Sequence, residues 1–122
     1  MNYTDTRPKT IVCDIDGTLV KHAAPIYSAR SDHKMELLPG TLDKLIDWDK
    51  KGYYIILLTG RKESLRNETK RQLSEVGIIY DQLVMGIGGG KRYLVNDCKP
   101  NGDQTAFAFN LVRNKGINDL DI

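Results

Sequence analysis

At 122 residues, with 18 basic against 16 acidic side chains and a formal charge of +2, the chain has the size of one domain with one core. So even a balance disfavours nucleic acid as a partner, and no apolar run approaches the ~20 residues of a membrane span. The polar stretch from Met1 to Lys9 carries no signal-peptide core, which makes a cytoplasmic location the default expectation.

Residues 9–15 read as a first strand, β-branched and almost continuously apolar, as for a strand buried on both faces. The strand runs out into Asp14-Ile15-Asp16-Gly17. Residues two apart in a strand point the same way, so Asp14 and Asp16 can converge on one site. Two like charges side by side are costly unless a cation or a shared proton relieves them. A plain Asp-Gly turn is the competing explanation. A calcium loop of the EF-hand kind is excluded, because its sixth and twelfth positions would be Leu19 and Pro25. Cys13, inside the apolar run, and Cys98 have no metal-ligand neighbours at zinc spacing, and both read as reduced thiols.

Residues 17–39 show no sustained period, and 18–38 form either a small lid or a surface excursion with one short hairpin. A helix is expected from Pro39-Gly40-Thr41 to about Lys51, with Thr41 as its cap, Leu42, Leu45 and Ile46 inward, and Gly52 as its stop. Trp48 should pack at its edge. Tyr53 to Leu58 form a second strand ending in Thr59-Gly60-Arg61. A second helix, about Ser64 to Val76, places Leu65, Leu73 and Val76 inward. Its basic residues Arg66, Lys70 and Arg71 alternate with Glu63, Glu68 and Glu75, the pattern of a solvated face. Leu83-Val84-Met85 make a short third strand. The glycine-rich run Gly86 to Lys91 fails the P-loop pattern, which would need Gly and Ser/Thr where Met85 and Arg92 stand. Arg92 to Val95 are expected as a fourth strand ending in Asn96-Asp97, and Asp103 to Arg113 as a last helix with Ala106, Phe109 and Val112 at helical spacing.

Strands alternating with helices predict an α/β fold: a three-layer, Rossmann-like sandwich around a mostly parallel sheet, in a single domain. Ligands of such sheets bind beyond the carboxyl ends of the strands. Three strand ends here stop in polar residues: Asp14/Asp16, Thr59-Gly60 and Asn96-Asp97.

On Asp14-Ile15-Asp16-Gly17-Thr18, Leu57-Leu58-Thr59-Gly60-Arg61 and Asn96-Asp97, the chain resembles the haloacid dehalogenase superfamily of phosphohydrolases, over most of its length. The resemblance implies that Asp14 attacks phosphorus and forms an aspartyl-phosphate. It implies that Asp16 protonates the leaving oxygen and then activates water. It implies a Mg²⁺ ion held by Asp14, Asp97 and the Asp16 backbone carbonyl. Thr59 and Gly60 would hold phosphate oxygens. Arg61 would either add charge there or form a surface ion pair. The family's lysine has no counterpart at the third strand. Lys91 would open the fourth strand, about 16 Å from its carboxyl end, so Lys99 is the expected catalytic cation.

Only about seven residues join the third and fourth strands, which implies an extended glycine-rich crossing or an altered strand order. There is no room for a large cap, and capless members act on large substrates or close their sites by forming homo-oligomers. Phosphorylated sugars, polysaccharide intermediates and polynucleotide ends stay open as substrates. A non-catalytic phosphate-binding or regulatory module on the same fold is the alternative, suggested by the missing lysine.

Overall fold

A computed structural model describes residues 5–122. Three strands, β1 (Thr10–Asp14), β2 (Tyr54–Leu58) and β3 (Gln82–Val84), form a parallel open sheet in the order β1-β2-β3. The register sets Asp14 opposite Leu58 and Leu58 opposite Val84, so all three strands finish at the same edge. The α/β class and the parallel sheet are as the alternating pattern predicts.

Between β1 and β2 the chain makes a flap and a helix. Leu19–Lys21 pairs with Glu36–Leu38 through the amides of Lys21 and Leu38, and a single-turn helix, α1 (Pro25–Ser28), sits at the far end of this hairpin. Helix α2 (Thr41–Lys50) follows. Its N-cap is Gly40, not Thr41, because the Thr41 hydroxyl donates instead to the Leu19 carbonyl at 2.6 Å. Thr41, Leu45 and Trp48 are its buried residues, while Ile46 stays exposed. After β2, a 3-10 turn (Glu63–Leu65) leads into α3 (Arg66–Glu75). The solvated face reads as expected: Arg66 pairs with Glu63, and Arg71 with both Glu68 and Glu75.

The core gathers Ile11 and Cys13 of β1, Ile55 and Leu57 of β2, Leu83 of β3, Leu45 and Trp48 of α2, and Leu73 of α3. The opposite sheet face is only partly covered, with Ile56, Leu58 and Val84 half-buried. Val12, expected to be buried, is 51% exposed.

The expected fourth strand (92–95) and last helix (103–113) do not form; both stretches are irregular and solvent-exposed. The reason is chain length. Parallel neighbours need a crossover of a dozen or more residues, and only residues 85–91 separate Val84 from Arg92. Fully extended, seven residues span about 25 Å at most. A path back along the sheet and across two strands leaves no residues for a helical crossover. Residues 87–113 instead make a long excursion. It ends where the Asn114 amide donates to the Gly17 carbonyl at 2.8 Å, the Asn114 side chain accepts from the His22 amide at 2.8 Å, and the Ile117 amide donates to Pro39 at 3.0 Å. Ile117 is fully buried.

Candidate active site at the carboxyl edge of the sheet

Asp14 is the last residue of β1, and the chain then closes a tight loop in which the Gly17 amide donates to the Val20 carbonyl at 2.7 Å. Gly17 takes φ +87°, a left-handed conformation that side chains resist. The loop holds Asp16 one step beyond Asp14. On the neighbouring strand, Thr59-Gly60-Arg61 leave β2 at the same level, fastened by the Thr59 amide to Val84 and by the Gly86 amide to the Arg61 carbonyl. Two of the three polar strand ends read from the sequence therefore do meet.

Their side chains are already engaged. The Asp14 carboxylate accepts from the Thr18 hydroxyl at 3.3 Å and from an Arg92 nitrogen at 2.9 Å. Asp16 receives a two-pronged bond from Arg61, at 2.8 and 3.0 Å. The Arg61 side chain is only 7% exposed and that of Asp16 20%, so the pair is partly buried and not a surface ion pair. Its remaining donors reach Gln72 at 2.7 Å and Thr69 at 3.4 Å. Removing a pair from water is offset only when its further hydrogen bonds are made, and Arg61 makes them to Gln72 and Thr69. Thr59 is buried, and its hydroxyl oxygen accepts the Arg61 amide at 3.1 Å. It braces the turn, leaving exposed Gly60 as the group at the surface. A side chain at Gly60 would meet the Gly88 carbonyl at 2.9 Å, so glycine is what lets the 86–90 loop lie against this strand end.

Asp97 and Lys99 are not brought to this cluster. Both lie in the irregular 87–113 excursion, because the strand that would have carried Asp97 beside Asp14 is not formed. The Asp97 backbone carbonyl accepts from Thr105, and Lys99 pairs with Asp5 at 3.1 Å. With Arg7 in front, these two cations hold the Asp5 carboxyl well below its usual range. The positive group beside Asp14 is Arg92, which a search restricted to lysines overlooks. The signal lay in Gly86 to Gly90, a run flexible enough to fold back across the strand ends.

Whether these residues fit a Mg²⁺ ion follows from the same contacts. Both carboxylates face arginines, and among the described residues no group of three or more His, Cys, Asp or Glu side chains could hold a metal. A Mg²⁺ ion seeks oxygen ligands in near-octahedral array. As arranged, the expected set of Asp14, Asp16 and Asp97 does not supply them.

The thiol of Cys13, buried beneath this edge, is pushed up to about 12 by burial and then by the Asp14 charge. It takes no part in nucleophilic chemistry near neutral pH.

The family profile described as "PITM 1-3, LNS2 domain" matches residues 11–96, which include both strand-end motifs. Among solved structures, one described as the "Pnkp1/Rnl/Hen1 complex" is 29% identical over 76% of this chain, with a TM-score of 0.57. Another, of the "Pnkp1/Rnl/Hen1 RNA repair complex", is 33% identical over 70%, with a TM-score of 0.56. The chain spans about a third of each, 33% and 28% of their lengths. A structural-genomics target from Vibrio cholerae aligns over 93% of this chain and 90% of its own, at 16% identity and a TM-score of 0.57, which bears on the fold alone. No curated protein matches.

Proposed function

The chain belongs to the LNS2 domain family, which has a HAD-like phosphatase fold, and from that premise we propose that it is a phosphomonoester hydrolase acting through Asp14. The observation that carries this reading is the meeting of Asp14 and Asp16 with Gly60 and Arg61 at one edge of two registered parallel strands.

In the proposed reaction an Asp14 oxygen attacks phosphorus, and the bond to the ester oxygen breaks. Asp16, carrying a proton on one oxygen while Arg61 holds the other, supplies the proton that the leaving alcohol takes. A water molecule then attacks the aspartyl-phosphate, passing its proton to Asp16, and free Asp14 and inorganic phosphate result. The Gly60 amide binds a phosphate oxygen. Arg92 offsets the repulsion between Asp14 and an anionic substrate, and stands beside Asp14 where Lys99 was the expected cation. Arg61 orients Asp16. No step is assigned to Asp97, to Lys99 or to a metal ion, since the donor set does not gather.

The site is an open strand edge, and two surface depressions, at Lys70–Tyr80 and at Tyr27–Lys34, lie elsewhere. An open edge suits a phosphate at the end of a larger molecule. The similarity to parts of an RNA repair complex favours an RNA-end phosphate as a second substrate reading beside the sugar phosphates.

Purified protein should release phosphate from p-nitrophenyl phosphate, and Asp14→Asn should reduce turnover at least about a thousandfold. Equal turnover by the variant removes Asp14 from the mechanism. A panel of sugar phosphates and 3′-phosphorylated oligoribonucleotides, each with Mg²⁺ and with chelator, sorts substrate class and metal dependence. Phosphate binding without turnover anywhere in the panel supports the non-catalytic module.

A further inference from the structure

Gln72 is an uncharged amide in the middle of α3 and is 0% exposed. Burying an amide is costly unless its hydrogen bonds are made, so what it binds shows why it is there. Its oxygen accepts from the Arg61 guanidinium at 2.7 Å, and its nitrogen donates to the Ser28 carbonyl at 2.9 Å and to Glu68 at 3.2 Å. Only this orientation works. A guanidinium can only donate, and a backbone carbonyl can only accept.

Ser28 is the last residue of α1 at the far end of the flap and is itself buried. Arg71, one residue before Gln72, also holds the flap, donating to the Ser31 carbonyl at 2.8 Å. One face of α3 therefore carries the flap on one side and the clamp on Asp16 on the other. From these contacts we propose that Gln72 is a positioning residue that couples the seating of the 24–31 flap to the Arg61–Asp16 pair. When the flap is seated, the Gln72 amide is fixed, and it presents its oxygen to Arg61, which in turn aims Asp16. When the flap lifts, the amide loses its acceptor and turns, and the guanidinium loses a partner. The role of Asp16 in turnover rests on the reading above; the coupling itself does not.

The test is hydrogen exchange at the amides of Tyr27 to Arg30, with Ile55 to Leu57 in β2 as an internal measure of folding. Gln72→Met keeps length and helix preference but makes neither bond; it should speed exchange in the flap about tenfold and leave β2 within twofold. Asp16→Asn, at a side chain that makes no hydrogen bond to residues 24–31, should speed flap exchange several-fold in the wild-type background and less than twofold on top of Gln72→Met. Additive effects of the two substitutions overturn the coupling. Should Gln72→Met also loosen β2, Gln72→Glu replaces it: the carboxylate still receives Arg61 but opposes the Ser28 carbonyl, and must release the flap while β2 stays protected. An unmoved flap in that variant overturns the proposal. If the protein turns over p-nitrophenyl phosphate, Gln72→Met should lower kcat about tenfold with KM within twofold. Absence of turnover in the wild type counts against the phosphatase reading only, and the exchange result still decides this one.

Discussion

Asp16 and Arg61 stand 45 positions apart in the chain and end as one partly buried, two-pronged pair, whose two members answer to different constraints. Asp16 was legible as a functional carboxylate because its neighbours, Asp14 and Gly17, lie within three residues. Arg61 was legible as part of a strand end, but its partner was not, since no local pattern encodes a contact across two elements. The same holds for Arg92 on Asp14. The two cysteines make a sharp contrast at this scale. Buried Cys13, with its thiol pushed up to about 12, should resist iodoacetamide at pH 8, whereas exposed Cys98 should be alkylated within minutes, as read by peptide mass spectrometry. The sign for stability follows. Between the ordinary value of 9.0 and about 12 the unfolded chain gives up the Cys13 proton while the folded chain keeps it. Stability must therefore fall as pH rises through that window. Urea midpoints should fall less steeply above pH 9 in Cys13→Ala than in the wild type.

Among elements, those that could be read in advance are the ones that carry their own signal. β2 lies within a run of six apolar or aromatic residues, Tyr53 to Leu58, between Gly52 and Gly60, and α3 has helical spacing with charge pairs on its outer face. The flap was open between lid and hairpin, and it combines a hairpin base with one helical turn. Missing from any local reading was the strap after the excursion. Gly116 at φ +85° lies against Pro39, and a Cβ there would run into the Pro39 carbonyl oxygen and ring. Its neighbour Ile117 is buried in the core. Gly116→Ala should cost about 2 kcal/mol or more in urea unfolding, combining a left-handed backbone with a clash. Gly89→Ala, where nothing lies within 4 Å, should fall within about 0.5 kcal/mol of wild type. Equal effects would mean that the strap is not packed.

Across the whole molecule, the chain exposes 8711 Å², against about 6,600 Å² for a compact monomer of this size. The excess belongs to the excursion, where Tyr93 is 86% and Val95 90% exposed and Phe107, Phe109 and Val112 are also open to solvent. A strand-like run at 92–95 and a helical period at 103–113 are real in the sequence, but a pattern becomes an element only when a partner face is within reach. The seven residues after β3 withhold it. The sheet is accordingly covered on one face and only partly on the other, with one core to hold it. Leu57→Ala, inside that core, should cost about 2–5 kcal/mol. Val95→Ser should change stability by no more than about 0.5 kcal/mol. A large loss for Val95→Ser in thermal unfolding would place residues 92–95 against the sheet.

The return of the chain at Asn114 and Ile117 has a consequence for its integrity. Trypsin has exposed targets at Lys91 and Arg92, both between two anchored ends. A cut there severs the backbone without releasing either piece, because the carboxyl-terminal fragment keeps its bonds to Gly17, His22 and Pro39 and its buried Ile117. The nicked protein should run as two bands on a denaturing gel and elute as one species from a sizing column. The strap would then act as a subunit held in place by its fit alone.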